Sequence, residues 1–209
     1  MGAPLADEAW EPRVIASELV YRGRVWDVRE DTFSYGDSAL TRHYQDHPGA
    51  VAVLALDDED RVLLIQQYRH PVRLREWEIP AGLLDVAGED PLTTAQRELA
   101  EEADLVAARW ALLADYLSSP GGSNEAIRIF LARGIAASDS VFHREGEEAD
   151  MVLAWVPFDE VVDAVRAGRV QNSILQIAVL SAALERGRGW SGLRDAGSPW
   201  IRHPRWRNG

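Results

Sequence analysis

The sequence predicts an α/β protein, with strands and helices sharing one body and a small antiparallel sheet ahead of it. Three observations carry that prediction. Residues 50–56, AVAVLAL, are an unbroken apolar run of strand length, as a strand buried on both faces requires. From Asp90 the pattern switches to helical spacing, with Leu92, Ala95, Leu99 and Ala103 on one stripe. Residues 14–46 alternate apolar and polar in short pieces, broken at Arg22-Gly23 and at Tyr35-Gly36-Asp37.

Taken in order, the alternating pieces fall at 14–21, 25–29 and 40–44 and read as a small antiparallel meander. So small a sheet is not stable alone and is expected to pack on a neighbour or a second subunit. The run 50–56 is followed by the turn Asp57-Asp58-Glu59-Asp60 and a second strand over 61–68. Residues 76–81 lead into the helix that Asp90-Pro91 opens: an acceptor side chain at the cap, then a ring that fits the first helical position. Strands are expected at 110–117, 126–133 and 151–156, with a polar, Glu-rich loop over 134–150. Pro157-Phe158-Asp159-Glu160 opens a helix to about Ala167, and 173–186 is a second helix with Ile174, Ile177, Ala178 and Leu184 among its apolar positions. From Gly187 the chain turns basic, with Trp190, Trp200 and Trp206 among Gly and Pro. Interleaved basic and aromatic residues can mark a nucleic-acid contact. The expectation here is a tail lying over the acidic body or in solvent, with part of its tryptophan surface packed. The domains expected are therefore 1–48, 49–187 and the tail 188–209.

Composition narrows the chemistry. The formal charge of −12 disfavours nucleic-acid backbones and anionic membranes as partners. It leaves phosphate substrates open, because a bound cation reverses the local sign. The chain has no cysteine, so disulfides and thiolate catalysis are excluded. The N-terminal residues MGAPLADEAWEPR are acidic and lack an apolar core, and no run reaches membrane-spanning length, so a cytoplasmic location is expected.

The residues that carry chemistry lie on the first helix. Glu98 and Glu102 are four apart and stand one above the other beside the apolar stripe, with Glu101 further round. Like charges at that spacing destabilise a bare helix and call for a cation. Oxygen-only ligands suit Mg²⁺ or Mn²⁺ rather than zinc. The wider order of residues is Gly82, Glu89, Arg97-Glu98-Leu99, Glu101-Glu102 and Leu105. It resembles the Nudix box of the nucleoside-diphosphate-linked-moiety hydrolases. Two departures stand out: the gap from Gly82 to Glu89 is one residue longer than usual, and Asp104 replaces a Gly at the helix exit. Asp tolerates the left-handed backbone needed there better than most residues.

The resemblance covers roughly residues 49–186 and implies a Nudix α/β/α sandwich with a mixed β-sheet. It assigns metal binding to Glu98, Glu102 and the carbonyl of Ala81, with Mg²⁺ as the cofactor and Mn²⁺ as a substitute. Glu101 would hold a metal-bound water, and Arg97 and Glu89 would brace the loop against the helix. Glu-Glu-Ala-Asp-Met before a strand resembles the catalytic loop of the ADP-ribose pyrophosphatase branch, which makes Glu148 a late metal ligand and the general base, with Glu147 the alternative. Ser119-Pro120-Gly121 stands at the spacing that marks the same branch. Within it Glu125 matches a contact to the terminal ribose and Arg69 a phosphate contact, a task that suits a fixed guanidinium fork. Trp26 and Arg42 fall near the positions that sandwich adenine; for Trp26 the alternative is packing within the meander. The small N-terminal sheet resembles the extra domain that this branch exchanges across a homodimer. The activity implied is Mg²⁺-dependent hydrolysis of ADP-ribose to AMP and ribose 5-phosphate. The rivals are the same chemistry on another nucleotide sugar, and a non-catalytic ADP-ribose sensor. The histidines, His43, His47, His70, His143 and His203, show no metal spacing and read as surface or packing residues.

Overall fold

The computed structural model describes residues 5–140, 142, 150–201, 203 and 204. The described residues within 1–48, 119–125 and 199–209 form one compact unit, and those within 49–118 and 126–198 form another.

The larger unit is the expected sandwich. Its eight-stranded sheet has the path β10-β5-β4-β9-β8-β11, with β6 on β5 and β7 on β4. The strands are β4 (Ala50–Leu56), β5 (Arg61–Arg69), β6 (Leu74–Glu78), β7 (Ala81–Leu83), β8 (Leu105–Leu117), β9 (Ala126–Ala137), β10 (Val152–Pro157) and β11 (Arg194–Asp195). The sheet is mixed: β4 runs parallel to β9 and antiparallel to β5 and β7. Alternation along β4 builds both faces of the core. Ala50, Ala52, Leu54 and Leu56 pack with Phe158, Val161, Leu175, Ala178 and Val179 of α2 (Phe158–Arg166) and α3 (Ser173–Arg186). Val51, Val53 and Ala55 pack on the opposite face with Ala95, Leu99 and Ala103 of α1 (Pro91–Ala103). Every residue of β4 is buried, which is why its sequence reads as an unbroken apolar run. Burying each Val or Leu there contributes about 1.5–3 kcal/mol.

Two strands of the larger unit run well beyond the sequence reading, as β2 and β3 do in the smaller one, at Asp27–Tyr35 and Ser38–Asp46 against the expected 25–29 and 40–44. β8 begins at Leu105 with no loop after α1, because Asp104 takes the left-handed conformation (φ 55°, ψ 37°) and turns the chain directly into the strand. β9 continues past 133 to Ala137, claiming the first part of the expected loop. Gly134 permits this at φ +69°, where a Cβ would lie 3.2 Å from that of Ala108. In the basic C-terminal segment β11 adds to β8, and the Arg133 guanidinium lies 5.0 Å over the Trp190 ring.

The smaller unit holds a three-stranded antiparallel sheet, β1 (Val14–Tyr21), β2 (Asp27–Tyr35) and β3 (Ser38–Asp46), in that order. The turn between β2 and β3 uses Gly36 at φ +57°. Every residue of β1 is exposed, Val14, Ile15, Val20 and Tyr21 among them. The turn at Ser119–Glu125 is stitched to the end of β3: Gln45 N–H donates to Gly122 O (2.9 Å) and Asn124 N–H to Gln45 O (3.2 Å). In the same unit Trp200 is buried and meets His203 edge-on, with ring centroids 4.6 Å apart.

Candidate active site

The strand that feeds α1 is fixed before the helix begins. β7 pairs with β4 through Ala50↔Leu83, Val51↔Gly82 and Ala52↔Ala81. Val53 N–H donates to Pro80 O (2.8 Å), and Leu84 N–H donates to Gly49 O (3.0 Å). The helix then starts at a made cap. Asp90 Oδ1 accepts from the backbone N–H groups of Leu92 (3.0 Å) and Thr93 (3.1 Å), and Thr93 Oγ1 donates to Asp90 Oδ2. The Thr93 hydroxyl, ahead of the backbone bonds, holds the Asp90 carboxyl below its ordinary pKa.

With Ala95, Leu99 and Ala103 turned into the core, Glu98 and Glu102 are left beside β7. Glu102 is only 6 % exposed, and its Oε2 accepts from Ala81 N–H at 2.9 Å. The Glu98 carboxyl lies so close to Gly82 that a Cβ built there would overlap it. Glu98, Glu102 and the Ala81–Gly82 peptide therefore converge on one place, and only glycine at 82 permits it.

The demand for a cation is met in part by the protein itself. Arg97 donates to Glu89 (Nε to Oε1 3.2 Å, Nη2 to Oε2 3.0 Å), to Glu98 Oε1 (2.7 Å) and to Glu101 Oε2 (2.9 Å). Each charge-assisted bond contributes about 1.5–3 kcal/mol, against about 0.2–0.5 kcal/mol for an i,i+4 repulsion, so Arg97 outweighs the like-charge cost. The bonds from Glu89 hold the Arg97 guanidinium well above its usual pKa, and those from Arg97 hold Glu89 below its own. Thr94, fully buried, adds a hydroxyl bond to Glu89 Oε2 at 2.9 Å. The loop between β7 and α1 is thus tied to the helix by Glu89, Arg97 and Thr94.

The donor set suits a hard divalent ion. The side-chain donors there are oxygen only, the carboxylates of Glu98 and Glu102 beside the Ala81–Gly82 peptide of β7. Among the described residues no group of three or more His, Cys, Asp or Glu side chains gathers as a metal cage. A site with one or two carboxylates and retained waters is the habit of Mg²⁺. Glu147 and Glu148, the sequence candidates for the base, lie outside the described residues, as does His143.

The other site residues are distributed as follows. Arg69 forms a bidentate pair with Glu78, Nε to Oε1 and Nη2 to Oε2 both at 2.7 Å, and Gln67 Nε2 donates to the same carboxylate at 3.3 Å. Glu78 is buried and went unnoticed in the sequence; the signal was its place at the end of β6, paired with Ile65 on the strand that carries Arg69. In the smaller unit Ser119, Pro120 and Gly121 form an exposed turn closed by Gly122 N–H and Ser123 N–H on Ser119 O (3.0 and 2.9 Å). Glu125 there lies 3.6 Å from His47 Nε2. Trp26 is exposed just ahead of β2, whose Asp27 pairs with Asp46. Arg42 pairs with Asp31, farther along the same ladder, so the β2–β3 register keeps it apart from Trp26 within one chain.

Comparison with known proteins adds the following. The NUDIX domain family model matches residues 46–175. The chain is 39 % identical over 193 residues to an ADP-ribose pyrophosphatase of Mycobacterium tuberculosis, covering 91 % of each chain. It is 36 % identical to an ADP-ribose pyrophosphatase of Bacillus subtilis, over 81 % of this chain and 96 % of that one. The crystal structure of an ADP compounds hydrolase superposes with a TM-score of 0.70 at 21 % identity, over 88 % of this chain and 99 % of that one, and speaks to the fold alone.

Proposed function

Because the chain belongs to the Nudix family, and is by that membership a hydrolase, we propose that it hydrolyses ADP-ribose to AMP and ribose 5-phosphate with Mg²⁺ as its metal and Mn²⁺ as a substitute. The observation that carries the reading is the convergence of Glu98 and Glu102, on the C-terminal half of α1, with the Ala81 peptide of β7. The substrate follows from relatives of that printed activity that match this chain over most of its length.

A phosphoanhydride resists water because its oxygens already carry negative charge. A divalent ion, when bound, neutralises that charge and aligns the attacked phosphorus with its leaving oxygen. Glu98, Glu102 and the Ala81 carbonyl would hold it. The remaining work falls to the chain. A water oxygen bonds to one phosphorus, the bridging P–O bond breaks, and the proton of that water passes to the Glu148 carboxylate. Arg69, held in orientation by Glu78, presents its guanidinium to a phosphate. Glu125 contacts the terminal ribose, Ser119-Pro120-Gly121 shapes the turn that carries it, and Trp26 receives the adenine together with the partner subunit's Arg42, since the β2–β3 register keeps the two apart within one chain. The protein acts as a homodimer joined through the N-terminal sheet, in the cytoplasm, with neither nucleic acid nor membrane as a partner. The exposed apolar side chains of β1 support the dimer. Among the described residues no helix is long and apolar enough to cross a membrane.

Competition kinetics test the substrate. With ADP-ribose, ADP-glucose and GDP-mannose offered together, ADP-ribose is expected to give the highest kcat/KM. A higher value for either competitor would move the reading to another nucleotide sugar, and no release of AMP by the pure protein would favour an ADP-ribose sensor.

A further inference from the structure

The smaller unit contains a buried side-chain net that no part of the reading above uses. His47 follows β3 and is 6 % exposed. Its backbone N–H donates to Asn124 Oδ1 at 2.7 Å, and Asn124 Nδ2 donates to Asp46 Oδ1 at 2.7 Å. Asn124 thus clamps the end of β3 with both ends of its amide, while its own backbone N–H reaches Gln45 O. The clamp sets the position of the next residue. Glu125 N–H donates to Ser123 Oγ at 3.1 Å, and the Glu125 carboxylate lies 3.6 Å from His47 Nε2. A hydrogen bond needs a shorter approach than this. At 3.6 Å the imidazole and the carboxylate face each other just beyond that reach, close enough for a small side-chain rotation to bring them into contact. An imidazole buried to this degree has few alternative orientations, so it can fix the carboxylate it faces.

We propose that His47 is a positioning residue for Glu125, holding that carboxylate toward the terminal sugar, with Asn124 fixing both against the end of β3. The inference rests on the role given to Glu125 in the proposed function. An imidazole–carboxylate contact at this site is worth about tenfold in ground-state affinity and little in the chemical step.

The test is a double-mutant cycle read as KM and kcat for ADP-ribose with Mg²⁺. His47→Asn keeps an amide near Nδ1 and removes the group that reaches Glu125; His47→Gln restores a donor near the place of Nε2. His47→Asn is expected to raise KM about tenfold with kcat within about twofold. His47→Gln is expected to recover most of the loss. In a Glu125→Ala background the same His47→Asn change is expected to leave KM where Glu125→Ala alone put it. A purely structural His47 would raise KM equally in both backgrounds, or lower kcat and Tm together, and either result overturns the proposal. If Glu125→Ala raises KM while His47→Asn does not, positioning by His47 is refuted and the role of Glu125 stands. If Glu125→Ala leaves KM unchanged, the role of Glu125 falls and the proposal falls with it. Should His47→Asn fail to fold, His47→Leu takes its place in the cycle: a rise in KM that disappears in the Glu125→Ala background supports positioning, and no rise, or an equal rise in both backgrounds, refutes it.

Discussion

At the scale of single residues the account turns on Gly82, Glu98, Glu102 and Arg97. Gly82 is where a side chain and a carboxylate compete for the same space. Gly82→Ala is therefore expected to displace Glu98 and to weaken divalent-ion affinity by tenfold or more, checked by Mn²⁺ titration. Glu102 does two things: it carries charge, and it accepts the Ala81 N–H. Glu102→Gln keeps an acceptor and removes the charge, so Tm should stay within a few degrees while the metal-dependent rate falls. Arg97→Ala removes the cation shared by Glu89, Glu98 and Glu101 and is expected to cost about 2 kcal/mol of stability, measured by urea unfolding. The carboxylates and their spacing were legible in the sequence because helical geometry alone puts residues four apart on one side. The buried partner Glu78, and the His47–Asn124–Asp46 net, were not. Each depends on strand register or on a turn returning to a strand end, and neither leaves a local pattern in the chain.

Among the elements, α1 was the most readable. Its cap, its N1 proline, its apolar stripe and the left-handed exit at Asp104 all follow from residue types in fixed positions. The strands divided by burial. β4 announces itself because both faces are covered, whereas β7 and β11 are too short to show a period and exist through their pairing with β4 and β8. The start of β8 is hidden in the sequence because none of its first five residues is buried and the helix ends directly against them. The cap also gives a pH prediction. The folded state lowers the Asp90 pKa, so its stabilisation is complete above the unfolded carboxyl range and is lost as pH falls through the folded pKa. Asp90→Ala should cost about 1 kcal/mol at neutral pH. That difference from the parent protein should shrink toward zero in acid, followed by thermal melts across the acidic range.

For the whole molecule, the sandwich was legible as a class and in its layers, since alternate residues of β4 face α1 on one side and α2 with α3 on the other. The composition of the smaller unit was not legible, because Ser119–Glu125 and the segment from Pro199 join it from far along the sequence. That unit leaves β1 exposed along its whole length, with apolar side chains that a monomer would present to water. Sedimentation equilibrium is expected to give twice the chain mass. Replacing Val20 by Asp on that strand should shift the equilibrium toward the monomer. The central claim is that the carboxylates on the C-terminal half of α1, beside β7, work through a divalent ion. Its most direct test is Mg²⁺-dependent AMP release from ADP-ribose by the parent protein and by Glu98→Gln, side by side at equal folded concentration. The account predicts robust release by the parent, abolished by chelation, and a loss of at least about a hundredfold in Glu98→Gln; a Glu98→Gln protein that matched its parent would contradict it.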